Sequence, residues 1–255
     1  GDDHRSIDYA TLDAHMDRVA AALQRDDLQA GAAIAICAAT AIDYATVYLG
    51  ALRAGVVVAP LAPGSTPDAF ARMLADAGAR VLFTDTSSAD TVGNAGLGTV
   101  PRISLDGSAV GLPLADWLAA TGSHPAPVAI EPAWPFNIIY SSGTTGAPKG
   151  IVQSHGMRWA HVMRGAKYGY GPDTVTLLST PLYSNTTLVV FFPTLAFGGA
   201  VLLMPKFDAA GYLKLAQANR VTHTMLVPVQ YQRLMARPDF DAHDLSSFRM
   251  KFSTS

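Results

Sequence analysis

Tyr140-Ser141-Ser142-Gly143-Thr144-Thr145-Gly146-Ala147-Pro148-Lys149-Gly150 sets five hydroxyl-bearing residues, three glycines and one lysine between two apolar runs. Phe136-Asn137-Ile138-Ile139-Tyr140 before it and Gly150-Ile151-Val152-Gln153-Ser154 after it have the composition of short strands, so the spacing predicts a loop at the end of a sheet. Glycines let backbone N–H groups approach and point at anionic oxygens, hydroxyls add neutral donors, and a lysine adds a mobile positive charge. Pro148 restricts the path of the chain just before that lysine. Together these residue types suit a polyphosphate.

The nearest general pattern is the P-loop, G-x-x-x-x-G-K-[ST], and it fails at two places. With Gly143 as the first glycine, Lys149 falls correctly, but Pro148 stands where the second glycine belongs and Gly150 where a magnesium-binding hydroxyl belongs. A solvent-exposed Ser/Thr/Gly linker is the other simple reading. It leaves the flanking apolar strands and the lysine after proline unexplained.

Working outward, strands alternate with helices. Helical spacing of Leu12, Met16, Val19, Ala20 and Leu23 follows Thr11, read as an N-cap; Ala32 to Cys37 reads as a strand, Ile42 to Arg53 as a helix and Val56 to Val58 as a strand. Pro67 to Ala77 is a further helix with proline in its first turn, and Arg80 to Thr84 a third strand. From Thr86 to Pro135 the pattern weakens into loops, with a linker at Thr121–Pro127 and a subdomain junction expected near 121–135. After the loop, Ser154 caps a helix to about Lys167. Val175–Ser179, Ala200–Met204, Thr222–Val227 and Arg249–Ser253 read as strands, with helices between them. This alternation predicts an α/β fold of layered, mostly parallel sheets with helices on both faces.

Composition narrows the function classes. The 255 residues are 49% hydrophobic, enough for a substantial core, and 18 basic against 20 acidic residues give a net charge of −2 without a basic run. Neither a nucleic acid nor an acidic membrane surface is indicated as a partner. The single Cys37 lies in an apolar run, which excludes an internal disulfide and fits a structural thiol in a reducing compartment, the cytoplasm. No signal peptide is visible at the N-terminus. Thr174 to Pro205 carries no charge, but Pro181, Asn185-Thr186-Thr187, Pro193 and Gly198-Gly199 cut it into pieces shorter than a membrane span of roughly 20 residues. His124, in the linker, reads as a solvated side chain. Pro181-Leu182-Tyr183-Ser184-Asn185-Thr186-Thr187-Leu188 places polar residues at the entrance of an apolar helix, where they face a ligand or simply cap the helix.

The loop from Tyr140 to Gly150 resembles the signature loop of the adenylate-forming superfamily, which comprises acyl- and aryl-CoA synthetases, nonribosomal-peptide adenylation domains and luciferases. The resemblance extends to Ile7–Leu12, Tyr48–Pro60, Pro181–Leu188 and Asp244–Arg249. It implies the large N-terminal domain of that fold, and a reaction in two halves: a carboxylate attacks the α-phosphate of MgATP, then coenzyme A displaces AMP. It implies cofactor contacts from Ser141, Ser142, Gly143, Thr144, Thr145, Gly146 and Lys149, catalytic roles for Lys149 and Thr144, and magnesium contacts from Thr144 and Thr145. Tyr183, Ser184 and Asn185 fall in the segment that contacts the acid.

Departures from the family pattern refine this. Peptide-synthetase domains carry an aspartate where Tyr183-Ser184 stands, and no acidic residue follows before Asp208, which argues against an amino-acid substrate. Many CoA synthetases carry an aromatic–histidine pair there; Tyr183 keeps the ring and Ser184 loses the imidazole. Val189, Val190, Phe191 and Phe192 favour an aliphatic or an aryl acid, and bulk hydrophobicity does not separate the two; an aliphatic fatty acid is the first expectation and an aryl acid the second. The family's adenine- and ribose-binding segments and its catalytic C-terminal lysine are expected beyond Ser255, as is the lid domain, so residues 1–255 alone are expected to be inactive. A non-catalytic nucleotide- or acyl-binding module and an amino-acid adenylation domain stand as alternatives; the oligomeric state is left open.

Overall fold

The computed structural model describes residues 5–93, 95–141 and 148–254. They fall into two compact units, Gly1–Met157 and Arg158–Ser255. The division comes inside a helix, at a later point than the junction expected near 121–135. That stretch lies within the first unit because the strand after it returns to the first unit's sheet.

In the first unit, α1 (Tyr9–Arg25), β1 (Ala33–Cys37), α2 (Ile42–Arg53), β2 (Val57–Pro60), α3 (Pro67–Asp76) and β3 (Ala79–Thr84) follow the expected alternation. The α1 cap is Asp8, whose carboxylate accepts from the Thr11 N–H at 2.7 Å; the expected Thr11 cap is already inside the first turn. Next come α4 (Ala89–Gly93), β4 (Arg102–Ser104), β5 (Leu112–Pro113), α5 (Leu114–Trp117), β6 (Pro135–Ser141) and β7 (Lys149–Ser154). The sheet runs β5-β4-β3-β1-β2-β6-β7 and is parallel except for the β6–β7 hairpin.

Side chains alternate across this sheet as strand geometry requires. Ala35, Cys37, Ala59 and Leu82 join Phe70, Met73 and Leu74 of α3 in one core. Ile34, Ile36 and Val58 are buried at the alternate positions, where α2 packs on β1 and β2. Contact between α1 and α2 is close at Gly50: a Cβ there would lie 2.6 Å from the Cβ of Val19, so only hydrogen fits.

The helix α6 (His155–Met163) spans the division, its first turn accepting the Met157 N–H on Ser154 Oγ at 3.2 Å as the sequence predicts. In the second unit β8 (Val175–Leu178), α7 (Asn185–Ala196), β9 (Ala200–Leu203), α8 (Ala209–Ala218), β10 (His223–Leu226), α9 (Pro228–Met235) and β11 (Met250–Ser253) form a parallel sheet ordered β11-β10-β8-β9. Leu177 and Leu226 face α8 with Tyr212, Leu213 and Ala216. Thr176, one residue earlier on β8, faces α7 and meets Thr194 Oγ1 at 2.6 Å. Helices therefore cover both faces of this sheet as well.

Candidate functional site

The hairpin β6–β7 positions the flanks of the loop that the sequence predicts to hold an anion. Because β6 is parallel to β2 (Val58 opposite Asn137), its carboxyl end emerges at the same edge as those of β1 to β4, the edge where open α/β sheets bind ligands. Ser141 closes β6 and Lys149 opens β7 directly opposite it, both exposed. The Lys149 side chain makes no ion pair or hydrogen bond with another described residue. Ser142, Gly143, Thr144, Thr145 and Gly146, expected in the phosphate and magnesium contacts, lie outside the described residues.

Three contacts hold the hairpin stem. Asn137 Nδ2 donates to the Tyr48 hydroxyl at 2.8 Å in a fully buried site, tying β6 to α2. Tyr140 Oη donates to Asp76 Oδ2 at 2.6 Å and to the Met73 carbonyl at 3.0 Å, tying it to α3. Partial burial, reinforced by the Asp76 carboxylate, pushes the Tyr140 phenol up, so it stays a donor at any physiological pH. Gly150 completes the arrangement: a Cβ there would come within 3.1 Å of both the Tyr140 ring and Asp76 Oδ2. At the carboxyl ends of β1 and β3 the chain satisfies itself, since Asp85 accepts from the Ala39 N–H at 2.8 Å and from Ser87 Oγ at 2.6 Å. Cys37 beside it is buried, and its thiol is pushed up to about 12 by that burial and by Asp85, which makes it a structural residue as the sequence suggests.

The segment expected to face the acid is built differently. Tyr183, Ser184 and Asn185 are half-buried at the entrance of α7. Ser184 occupies the N-cap position, yet no side chain makes a cap hydrogen bond there, so capping does not account for the polar residues. Asn185 Oδ1 instead accepts from Arg158 Nη2 at 2.9 Å. Behind them Thr187 Oγ1 donates to Thr180 Oγ1 at 2.7 Å, and Leu188, Val190 and Phe191 are buried.

Arg158 is the residue the sequence reading passed over. It is only 3% exposed, and its guanidinium lies over the Phe192 ring, 5.4 Å from the centroid. Its signal is visible in retrospect: Arg158, Val162 and Gly165 recur at helical spacing on the buried stripe of the segment after Ser154. His124, read as solvated, does have a partner, Asp17 Oδ2 at 2.6 Å from its Nδ1, but its side chain is 79% exposed and makes no site. Among the described residues there is no cluster of three or more metal-ligating side chains, and no helix is long and apolar enough to cross a membrane.

The family model described as AMP-binding enzyme matches residues 1–255. Feruloyl-CoA synthase of an Amycolatopsis species is 30% identical over 247 residues, which cover 96% of this chain and 48% of that protein. Among solved structures, ATP-bound MatB of Rhodopseudomonas palustris is 30% identical with a TM-score of 0.83, over 97% of this chain and 49% of that one. The N-terminal domain of FACL13 from Mycobacterium tuberculosis is 25% identical with a TM-score of 0.82, over 96% and 62%. The chain spans about half the length of the curated relatives it matches.

Proposed function

The chain belongs to the AMP-binding enzyme family over residues 1–255, and from that membership we propose that the protein is an ATP-dependent acid–CoA ligase acting through an acyl-adenylate. The observation that carries this reading is the hairpin itself, which brings Ser141 and an exposed Lys149 side by side at the ligand-binding edge of a parallel sheet. In this reading Ser141, Ser142, Gly143, Thr144, Thr145 and Gly146 hold the β- and γ-phosphates. Lys149 stabilises charge on the departing pyrophosphate, which is electrostatic catalysis. ATP, when bound, would supply the activated phosphorus, and magnesium, which Thr144 and Thr145 would contact, would shield phosphate charge. A donor set of hydroxyls, backbone amides and one cation fits an anionic ligand and offers no soft ligands for a transition metal.

Tyr183, Ser184 and Asn185 contact the acid. The apolar face of α7 behind them supports an acid with a hydrocarbon body, aliphatic in the first instance; the similarity to a feruloyl-CoA synthase supports an aryl acid as the second reading. Cys37, one buried thiol with no partner for a disulfide, supports a reducing compartment such as the cytoplasm.

The test is acid-dependent ATP–pyrophosphate exchange in the full-length protein across short, medium, long-chain and aryl acids. Lys149→Ala is expected to lower the exchange rate about 10²-fold, the usual scale for loss of one electrostatic group in the transition state. Absence of exchange with every acid, or an undiminished rate in Lys149→Ala, overturns the assignment.

A further inference from the structure

A cavity of about 560 Å³ lies in the first unit, at the opposite end of its sheet from the β6–β7 loop. Arg25 and Asp26 line it from the end of α1, Arg80 from β3, Arg102 from β4, Leu112 from β5 and Trp117 from α5. The strands are parallel, and Arg80, Arg102 and Leu112 stand at or next to their first residues. The cavity is therefore at the amino ends of the strands, whereas Ser141 closes the carboxyl end of β6. Its size falls in the range of about 300–1,000 Å³ usual for small-molecule sites.

Arg80 belongs to this cavity because β3 is irregular. Ala79 pairs with Ala33 and Leu82 with Ala35, so two residues, Arg80 and Val81, stand opposite Ile34 alone. Such a bulge re-aims a side chain that regular alternation would send to the other face. Ala79 and Leu82 both join the core with α3, which leaves Arg80 and Val81 together on the other face, toward Trp117. The Trp117 ring packs edge-on against Phe83, two residues beyond Val81, with centroids 5.1 Å apart. Leu28, Val81, Ile103 and Trp117 are buried and form an apolar floor, and half-exposed Leu112 forms the lip.

Over that floor the charges are unevenly matched. Arg25 is engaged: its Nε and Nη2 donate to the Asp26 carboxylate at 2.9 and 3.3 Å, and its Cζ lies 5.9 Å from the Trp117 ring centre. The indole Nε1 also donates to Asp26, at 2.7 Å, so this carboxylate already has its partners. The side chains of Arg80 and Arg102 make no ion pair or hydrogen bond with another described residue. Three guanidiniums against one carboxylate leave a surplus of two positive charges.

We propose that this cavity binds a small organic anion with a hydrocarbon body, its head group on Arg80 and its body over Trp117 and the apolar floor. Carboxylate and phosphate oxygens both match the fork of a guanidinium, and charge-assisted bonds of this kind are roughly twice as strong as neutral ones. A neutral guest of the same shape would take water from the arginines and return no partner, so the head group decides binding. The site is separate from the hairpin and from α7, and it does not depend on the ligase reading.

The experiment follows the indole N–H resonance of Trp117 in full-length protein carrying isotopically labelled tryptophan, identified by its loss in Trp117→Phe. The titrants are octanoate, octyl phosphate and octan-1-ol. One or both anions are expected to shift this resonance saturably, with a Kd below about 1 mM, and the alcohol to bind at least about tenfold more weakly. A stronger response to octanoate assigns a carboxylate head, a stronger response to octyl phosphate a phosphate head, and either supports the proposal. Arg80→Gln alters an exposed side chain and is expected to weaken the anion at least about tenfold. Leu112→Asp, which puts a like charge on the lip, is expected to weaken it as well. No saturable shift with either anion, an alcohol that binds as tightly as the anions, or an affinity unchanged in Arg80→Gln overturns the proposal. Pyrophosphate exchange is not part of this readout, so failure here leaves the ligase reading standing, and the reverse holds too.

Discussion

The hairpin β6–β7 and the entrance of α7, to which the proposed function assigns phosphate and acid, are constructed on opposite plans. On β7, Lys149 to Val152 are all exposed, and on β6 the hydroxyl of Tyr140 and the amide of Asn137 tie the stem to α3 and α2. At α7, Leu188, Val190 and Phe191 are sealed between the helix and its sheet, and the polar groups Thr176, Thr180, Thr187 and Thr194 are bonded to one another inside that seal. The first plan sets Ser141 and Lys149 opposite each other on an open stem. The second fixes a few polar atoms rigidly in an apolar wall. A polyphosphate is bound by many interchangeable contacts, whereas an acyl chain is discriminated by the few atoms it must not strand, so each plan suits its ligand.

The contrast is most exposed to test at Phe191, which is 2% exposed and packs edge-on against Phe192 with ring centroids 5.2 Å apart. Phe191→Ala is expected to cost about 3–5 kcal/mol, the range for truncating a buried aromatic side chain. Urea unfolding of the full-length protein reads this as a lowered midpoint for the transition of the second unit. A loss below about 1 kcal/mol would show that the wall behind α7 is loosely packed, and the argument for rigid selectivity would fall with it.

Much of the fold was legible because its signals are local. Alternating apolar runs and helix-start residues gave β1, α2, β3 and α3 nearly residue for residue, and Pro67 sat in the first turn of α3 as its fixed φ favours. Between Thr86 and Pro135, β4 and β5 are only three and two residues long, too short for a period to register, and they are strands because β3 supplies their partner. The Thr11 cap was misplaced by one turn because Asp8 and Thr11 are both good cap residues and only the backbone distinguishes them. At the hairpin, the placement of Ser141 and Lys149 at facing strand ends was legible from a contiguous motif. Arg158 was not, since it lies 27 residues from Asn185 in sequence and a charged residue in a helix is ordinarily solvated. Likewise Asp76, whose carboxylate steadies Tyr140, sits 64 positions away on another helix.

A smaller effect separates the two units by pH. His223 on β10 is fully buried, with Nε2 2.9 Å from the Tyr168 carbonyl oxygen and its ring 4.4 Å from that of Tyr170. Burial holds its pKa below the ordinary 6.5, only partly opposed by the bond to Tyr168. The folded state therefore prefers the neutral ring, and the unfolded chain binds the proton more readily. Stability from this group is fully present above about pH 6.5 and is lost as pH falls through the lower folded-state value, with a slope of at most about 1.4 kcal/mol per pH unit. Carboxylates such as Asp173, held low by the Arg249 bond, add their own loss only in more acidic solution. Stability measured from pH 7.5 to 5 should fall, and His223→Gln should flatten that fall while lowering the plateau. An unchanged slope in the variant would place the sensitivity elsewhere, for example at His155, which is also held low by burial.

The smallest effect is expected on the hairpin itself. Ile151 is 51% exposed and stands opposite Ile139 on β6. Ile151→Thr keeps a β-branched side chain suited to a strand, so the backbone preference is retained. What is lost is part of one cross-strand apolar pair, worth about 0.2–1 kcal/mol, and only about half of the side chain was withdrawn from water to begin with. The expected cost is under about 1 kcal/mol by urea unfolding, several times less than for Phe191→Ala. If the two substitutions cost the same, the outer strand of the hairpin is packed as tightly as α7. The division between an open hairpin stem and a sealed α7 wall would then not hold.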